Sequence, residues 1–207
     1  MLGVAILIIV MSVMNGFKTD LTKKILGLNP HIVIQPNSFI IDDKYISKLK
    51  NKFSDIKISK SFSGEGIIIN NDNAKGVIFK GINKNENMSI EFLNKYLTSG
   101  NVQTFSTNQV FIGTELAYNL NLKEGDKINL MSSAFVATPL GSLPKQESFI
   151  VAGTFTTGFL EFDQNIIFLE IKDALSIFDK EENDQNIEIY LEDPLKANLL
   201  KKKNRKN

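Results

Sequence analysis

Cysteine is absent from this 207-residue chain, histidine occurs once, and of 24 basic residues only Arg205 is arginine. Without cysteine there is no disulfide framework, no thiolate metal site and no cysteine nucleophile. The single His31 would have to serve any serine-histidine-aspartate triad. It stands in Asn29-Pro30-His31-Ile32-Val33-Ile34, a turn opening an apolar strand, and no GxSxG elbow occurs anywhere. No catalytic residue emerges, and an enzyme is the least supported class. Phosphate clamps favour the planar fork of arginine, so the chain is poorly equipped for phosphoryl chemistry. Its excess of Lys, Asn and Ile is the composition of an AT-rich genome.

Other absences narrow the reading further. A formal net charge of +1 leaves no basic footprint for nucleic acid. Neither GxGxxG nor GxxxxGK[ST] occurs, so no nucleotide cofactor is expected in this chain. The acidic stretch Lys180-Glu181-Glu182-Asn183-Asp184 lacks the spaced ligands, central glycine and closing glutamate of a calcium loop, and reads as a solvated turn; no metal is expected. With 43% apolar and 23% charged residues the chain has the composition of a folded domain.

What is present begins with a run free of charge, Leu2 to Met14, whose members Leu2, Val4, Ile6, Leu7, Ile8, Ile9, Val10 and Val13, together with Phe17 beyond it, form a candidate membrane segment. At about 1.5 Å per residue, Leu2 to Phe17 reaches only about 24 Å, short of a hydrocarbon core of about 30 Å. A basic leading region and an A-x-A exit are missing, which argues against a cleaved signal peptide; a buried core helix and an uncleaved signal remain as alternatives. Phe17, Leu21, Ile25 and Leu28 keep helical spacing with Lys18, Asp20, Lys23 and Lys24 between them, so the helix continues as an amphipathic stalk. Those lysines alone would place this flank in the cytoplasm, but the rule needs both flanks.

Past Pro30 the pattern is mixed α and β. Strands are expected at Ile32 to Gln35, Ile56 to Ser61, Gly66 to Ile69 and Gly76 to Lys80, with a helix capped at Asp42-Asp43 whose Tyr45, Ile46, Leu49 and Phe53 share a face. A helix near Ser89 carries Ile90, Leu93 and Leu97. The strand Val110-Phe111-Ile112, a short helix Glu115 to Asn121 and the strand Ile128 to Met131 follow. Strands Ser148 to Phe155 and Asn165 to Ile171, a helix capped at Asp173 and ending near Phe178, and the strand Ile187 to Leu191 complete the fold. Residues 196–207, rich in lysine, read as a disordered basic tail.

One loop stands out. Ser132 to Glu147 carries Phe135, Val136, Leu140 and Leu143 beside Thr138, Gly141 and Gln146, with Pro139 and Pro144 stiffening its backbone. Loops are usually polar. A preorganised apolar loop loses less entropy on docking to a partner; the alternative is a plug over its own domain.

In collinear order, Gly3-Val4-Ala5, Ser12-Val13-Met14-Asn15-Gly16-Phe17, Pro30-His31-Ile32, Val110-Phe111-Ile112-Gly113-Thr114-Glu115-Leu116-Ala117 and Leu122-Lys123-Glu124-Gly125-Asp126-Lys127 form a series. It continues through Thr138-Pro139-Leu140-Gly141 with Pro144, Val151-Ala152-Gly153-Thr154-Phe155, Glu161-Phe162-Asp163 and Asp173-Ala174. This assembly resembles the LolC/LolE family, the transmembrane subunits of lipoprotein-releasing ABC transporters. The resemblance implies an α+β architecture: a transmembrane and stalk helix (1–30, truncated at its start), then a mixed α/β periplasmic domain. In it a porter-like part (31–86 plus 184–195) is interrupted by a mostly β insertion (87–183) bearing a hook at 135–147.

The same resemblance implies an inner-membrane protein with its bulk in the periplasm, and reads Phe135, Val136, Thr138, Pro139, Leu140, Gly141, Leu143, Pro144 and Gln146 as the chaperone-docking loop. The implied partners are a cytoplasmic ABC ATPase subunit that binds the ATP, a second permease subunit in a homo- or heterodimer, a periplasmic lipoprotein chaperone, the lipoprotein cargo and membrane lipid. Glu147, where some hook-bearing members have a basic residue after the glutamine, departs from the pattern. Three further membrane helices and a coupling loop should follow residue 195, so a truncated piece unable to transport alone is implied. A permease of the macrolide-efflux or division type, and a membrane-tethered periplasmic binding module, are the competing expectations.

Overall fold

The computed structural model of the chain describes residues 2–36, 43–52, 56–71, 73–84, 87–139 and 141–191. It opens with α1 (Leu2–Leu28), β1 (Ile32–Ile34), α2 (Asp43–Lys52), β2 (Ile56–Asn70) and β3 (Asn73–Ile82). Next come α3 (Asn87–Tyr96), β4 (Leu97–Gly100), β5 (Gln109–Gly113), α4 (Thr114–Asn119) and β6 (Lys127–Thr138). The series closes with β7 (Gly141–Phe155), α5 (Leu160–Asn165), β8 (Ile166–Glu170), α6 (Ile171–Ile177) and β9 (Asn186–Leu191). This is the expected α+β order behind an N-terminal helix.

Helix α1 joins the apolar run and the stalk without a break, about 40 Å in all. No proline interrupts it, and the Thr19 hydroxyl donates to the Asn15 carbonyl at 2.8 Å, satisfying itself along the helix. Residues Gly3–Asp20 are long and apolar enough to cross a membrane, and none of them is buried. Val4, Ile6 to Val10, Val13 and Phe17 are all exposed, an arrangement that water would not tolerate and lipid would. At its last residue, the buried Leu28, α1 enters a core.

The domain is built on a ring of strands. β2 pairs with β3, β3 with β8, β8 with β5, β5 with β7, β7 with β6, and β6 returns to β2. Closure removes free edges and makes an inside. Alternation then sorts the side chains: Ile68, Val77, Phe79, Val110, Ile112, Leu130, Phe149, Val151, Ile167 and Leu169 form the central core. Their neighbours Phe111 and Phe168 point the other way, as does Phe155 beyond the register shift at Ala152 of β7, into a second, aromatic core with Leu93 of α3 and Phe162 of α5. Phe155 and Phe168 meet there edge-to-face at 5.1 Å between centroids.

A smaller sheet shares β2 with the ring. Residues 56–61 of β2 pair with β9, and β9 with β1. Leu49 of α2 covers one face of this sheet, burying Ile187, Ile189 and Leu191. Thus β2 runs through both sheets, and the hairpin of β2 and β3 supplies strands to the ring alongside those from residues 87–183.

Several expectations need correction. The two strands expected at 56–61 and 66–69 are one, because Gly64-Glu65-Gly66 is not a turn. A Cβ at Gly64 would lie 2.6 Å from a ring carbon of Phe178, and one at Gly66 would lie 2.8 Å from the Phe79 ring. The glycines mark close packing, not chain reversal. β4 and α5 carry no strong periodicity and were not expected. Phe53, Asp42, Leu140 and the basic tail lie outside the described residues.

Candidate functional site

The unusual apolar stretch is not a loop. β6 and β7 continue as an antiparallel hairpin out to the pair Thr138 and Gly141. Sequence patterning missed this because both faces of the outer ribbon are apolar, so the alternation that signals a strand is lost. The tip is closed by the Thr138 hydroxyl, which donates to the Gly141 carbonyl at 2.6 Å. Gly141 adopts φ +122°, which a side chain at this position would strain.

Of the expected docking residues, Phe135, Val136 and Thr138 lie on β6, Pro139 in the turn, and Gly141, Leu143, Pro144 and Gln146 on β7. Leu140 lies outside the described residues. Phe135 faces Pro144 directly, and Val136 faces Leu143. Directly opposed residues share a face, so Phe135 and Pro144 mark one face, Val136 and Leu143 the other. Phe135 is 64% exposed and Leu143 57%. Those exposures leave the plug alternative without support for these residues. The free ribbon extends about 13 Å beyond the ring, and Pro144, which offers no N–H, is tolerated because it stands on an unpaired margin.

The root of the ribbon is fixed. Register slips between Met131 and Phe135, so the three residues 132–134 bulge opposite Lys145. The buried Ser132 hydroxyl donates to the Ile177 carbonyl and accepts from the Ala134 N–H at 3.1 Å. From the other strand, Lys145 Nζ donates to the Ser176 carbonyl at 2.6 Å. Both strands therefore cap the last carbonyls of α6, where a lysine also meets the negative end of the helix dipole. Glu147, the departure from the resemblance, pairs with Lys145 at 3.4 Å. Its charge is engaged at the root rather than displayed at the tip.

Close to this root, Asp173 on α6 accepts the Asn108 N–H at 2.7 Å. Burial raises its carboxyl above the ordinary range; the Asn108 bond opposes this, and the charges of Glu170 and Glu147 add to it. His31 is structural: its Nδ1 accepts the Leu191 N–H at 2.8 Å, and its backbone N–H donates to the Ile189 carbonyl at 3.0 Å, joining β1 to β9. Asp163, 2% exposed, accepts from the N–H and hydroxyl of Thr157 at 2.9 and 2.6 Å and from the Gly158 N–H at 3.1 Å, organising the turn before α5. The acidic stretch near 181 folds into a single 3-10 turn, where the Glu181 N–H donates to the Asp184 carboxylate at 3.0 Å. Sequence reading missed the Ser132 anchor, which only the bulge reveals, and a polar cleft under α1 whose alternating lysines and serines were visible but whose burial was not.

Against known proteins, the model of the family described as MacB-like periplasmic core domain matches residues 1–204. The chain is similar to the lipoprotein-releasing system transmembrane protein LolC of Neisseria meningitidis serogroup B, 25% identical over 203 residues, which are 96% of this chain and 49% of that protein. It is also similar to LolC of Buchnera aphidicola subsp. Schizaphis graminum, 29% identical over 216 residues, 100% of this chain and 52% of that protein. The chain thus spans about half the length of these relatives. Among solved structures, the periplasmic region of MacB from Actinobacillus actinomycetemcomitans aligns over 83% of this chain and 78% of its own, at 13% identity and a TM-score of 0.49.

Proposed function

Because the chain belongs to the family of MacB-like periplasmic core domains, we propose that it forms the first membrane helix and periplasmic domain of an ABC permease that releases outer-membrane lipoproteins from the inner membrane. In this reading a periplasmic chaperone takes the lipoprotein at the hairpin tip. A separate cytoplasmic ATPase subunit binds the ATP, and a second permease subunit completes the membrane part. The chain itself carries out no chemistry.

The observation behind this reading is the pair of exposed apolar faces on a ribbon whose root is clamped. An isolated two-stranded ribbon is marginal in water, and apolar side chains on both of its faces gain nothing there. The clamp at Ser132 and Lys145 holds them in place, so little freedom is lost when a chaperone closes over them. The names of the curated relatives add lipoprotein release to this geometry.

Photo-crosslinking tests the proposal. A benzophenone side chain at Phe135 or Leu143 is expected to capture the lipoprotein chaperone, whereas one at Tyr118, 84% exposed on α4, is not. Capture of the ATPase alone, or of nothing, at the two hairpin positions refutes it.

A further inference from the structure

Beneath the last turn of α1 the smaller sheet does something unusual for its kind. Its α2-facing side is apolar, as an antiparallel sheet with one packed face should be. Its other side is polar and also buried. Alternation along Lys57-Ile58-Ser59-Lys60-Ser61 puts Lys57, Ser59 and Ser61 on that face, where register sets them opposite Tyr190, Glu188 and Asn186 of β9. Ser59, Ser61 and Glu188 are 5%, 2% and 5% exposed. A polar face costs free energy to bury unless its groups find partners.

Glu188 has partners: Lys80 Nζ at 3.2 Å and the Tyr190 hydroxyl, which donates at 2.7 Å. The Ser61 hydroxyl has none among the described residues. Ser61 lines a cleft of about 210 Å³ whose apolar lining is made by Leu28 of α1, Ile82, Phe92, Tyr96 and Phe168. Two exposed cations, Lys57 and Lys95, stand among its lining residues against the single exposed anion Glu91, while Lys80 and Glu188 neutralise each other inside. The cleft therefore offers an apolar wall, an unsatisfied buried donor and an excess of positive charge.

Its position narrows the occupant. Leu28 lies eight residues, about 12 Å, beyond Asp20, where the membrane-crossing stretch ends.

We propose that this cleft is a binding site for an anionic amphiphile, its acyl chain on the Leu28–Phe92–Phe168 wall and its acidic head held by Lys57, Lys95 and the Ser61 hydroxyl. The shared chemistry, an acid group on an aliphatic chain, belongs both to a membrane phospholipid and to a free fatty acid. A membrane source for the ligand rests on the reading of α1 as a membrane helix; the cleft itself rests on neither that reading nor chaperone docking.

The full chain in vesicles of phosphatidylglycerol and phosphatidylcholine carrying a diazirine-bearing phosphatidylglycerol, and separately in detergent with a diazirine-bearing palmitate, tests it by mapping labelled peptides. Labels are expected on the peptide holding Phe92 and Tyr96. The double variant Lys57→Glu/Lys95→Glu should lower that labelling about fivefold, while Lys123→Glu, a reversal on a distant exposed turn, should not. Labelling by the vesicle lipid points to a membrane source and labelling by palmitate alone to a free acid; both support the site. Labels confined to Gly3–Asp20 would leave the membrane helix standing and overturn the cleft, as would unchanged labelling in the double variant with an unaltered melting temperature. Cleft labelling by palmitate with none on Gly3–Asp20 in vesicles would retain the cleft and count against the membrane reading of α1.

Discussion

The same two strands, β6 and β7, lead different lives on either side of the bulge at residues 132–134. Below it, Ile128, Leu130, Phe149 and Val151 alternate with outward residues and disappear into the ring, each 0 or 1% exposed. Above it, Phe135, Val136 and Leu143 are as apolar as their counterparts below and stand in solvent. Composition does not separate the halves. What separates them is what the other strands do: β2 pairs with β6 only as far as Ser132, and beyond that point no other described strand pairs with the ribbon. Apolar residues under the closed ring stabilise the fold, and the same kind of residue beyond it is left for a partner.

Substitutions should fall on one side of this divide or the other. Phe79→Ala, inside the ring and 0% exposed, is expected to cost about 3–5 kcal/mol and to lower the melting temperature by about 10 °C. A loss as small as that of a surface change would mean the ring is not the core. Ser132→Ala removes the donor to the Ile177 carbonyl and the acceptor of the Ala134 N–H, lowering the free energy of local opening of the ribbon by about 1–2 kcal/mol. Its more telling signature is faster hydrogen exchange in residues 135–143 with the ring amides unchanged. Uniform acceleration across both regions would show that the bulge does not divide them.

The smallest effect is at Asp173. Its carboxyl is raised in the fold, so its contribution to stability is full below the ordinary value of 3.8 and is lost as pH rises through the folded value. Asp173→Asn keeps an acceptor for the Asn108 N–H and removes the buried charge. It should raise the melting temperature at pH 7 and leave it unchanged near pH 3; a lower melting temperature at pH 7 would reverse the sign of that account.

Much of the ring could be read from the chain, because strands such as Val110-Phe111-Ile112 and Gly76 to Lys80 carry apolar residues bounded by turn residues. The continuity of β2 could not, since Gly64 and Gly66 look like a break until Phe178 and Phe79 are seen packed against them. The hairpin was legible as an odd, proline-stiffened apolar stretch but not as two strands, for its alternation is erased by the very exposure that makes it a candidate. The polar cleft was illegible for a related reason. Lys57, Ser59 and Ser61 read as the solvent side of a strand, and only the placement of Leu28 and α3 over them shows otherwise.

Phe135→Ser/Leu143→Ser tests the divide most directly, with chaperone affinity and melting temperature measured on the same preparation. The account predicts a melting temperature changed by no more than the equivalent of about 0.5 kcal/mol and chaperone binding weakened at least about tenfold. Unaltered binding, or a melting temperature that falls together with it, would contradict the claim that the outer ribbon serves a partner rather than the fold.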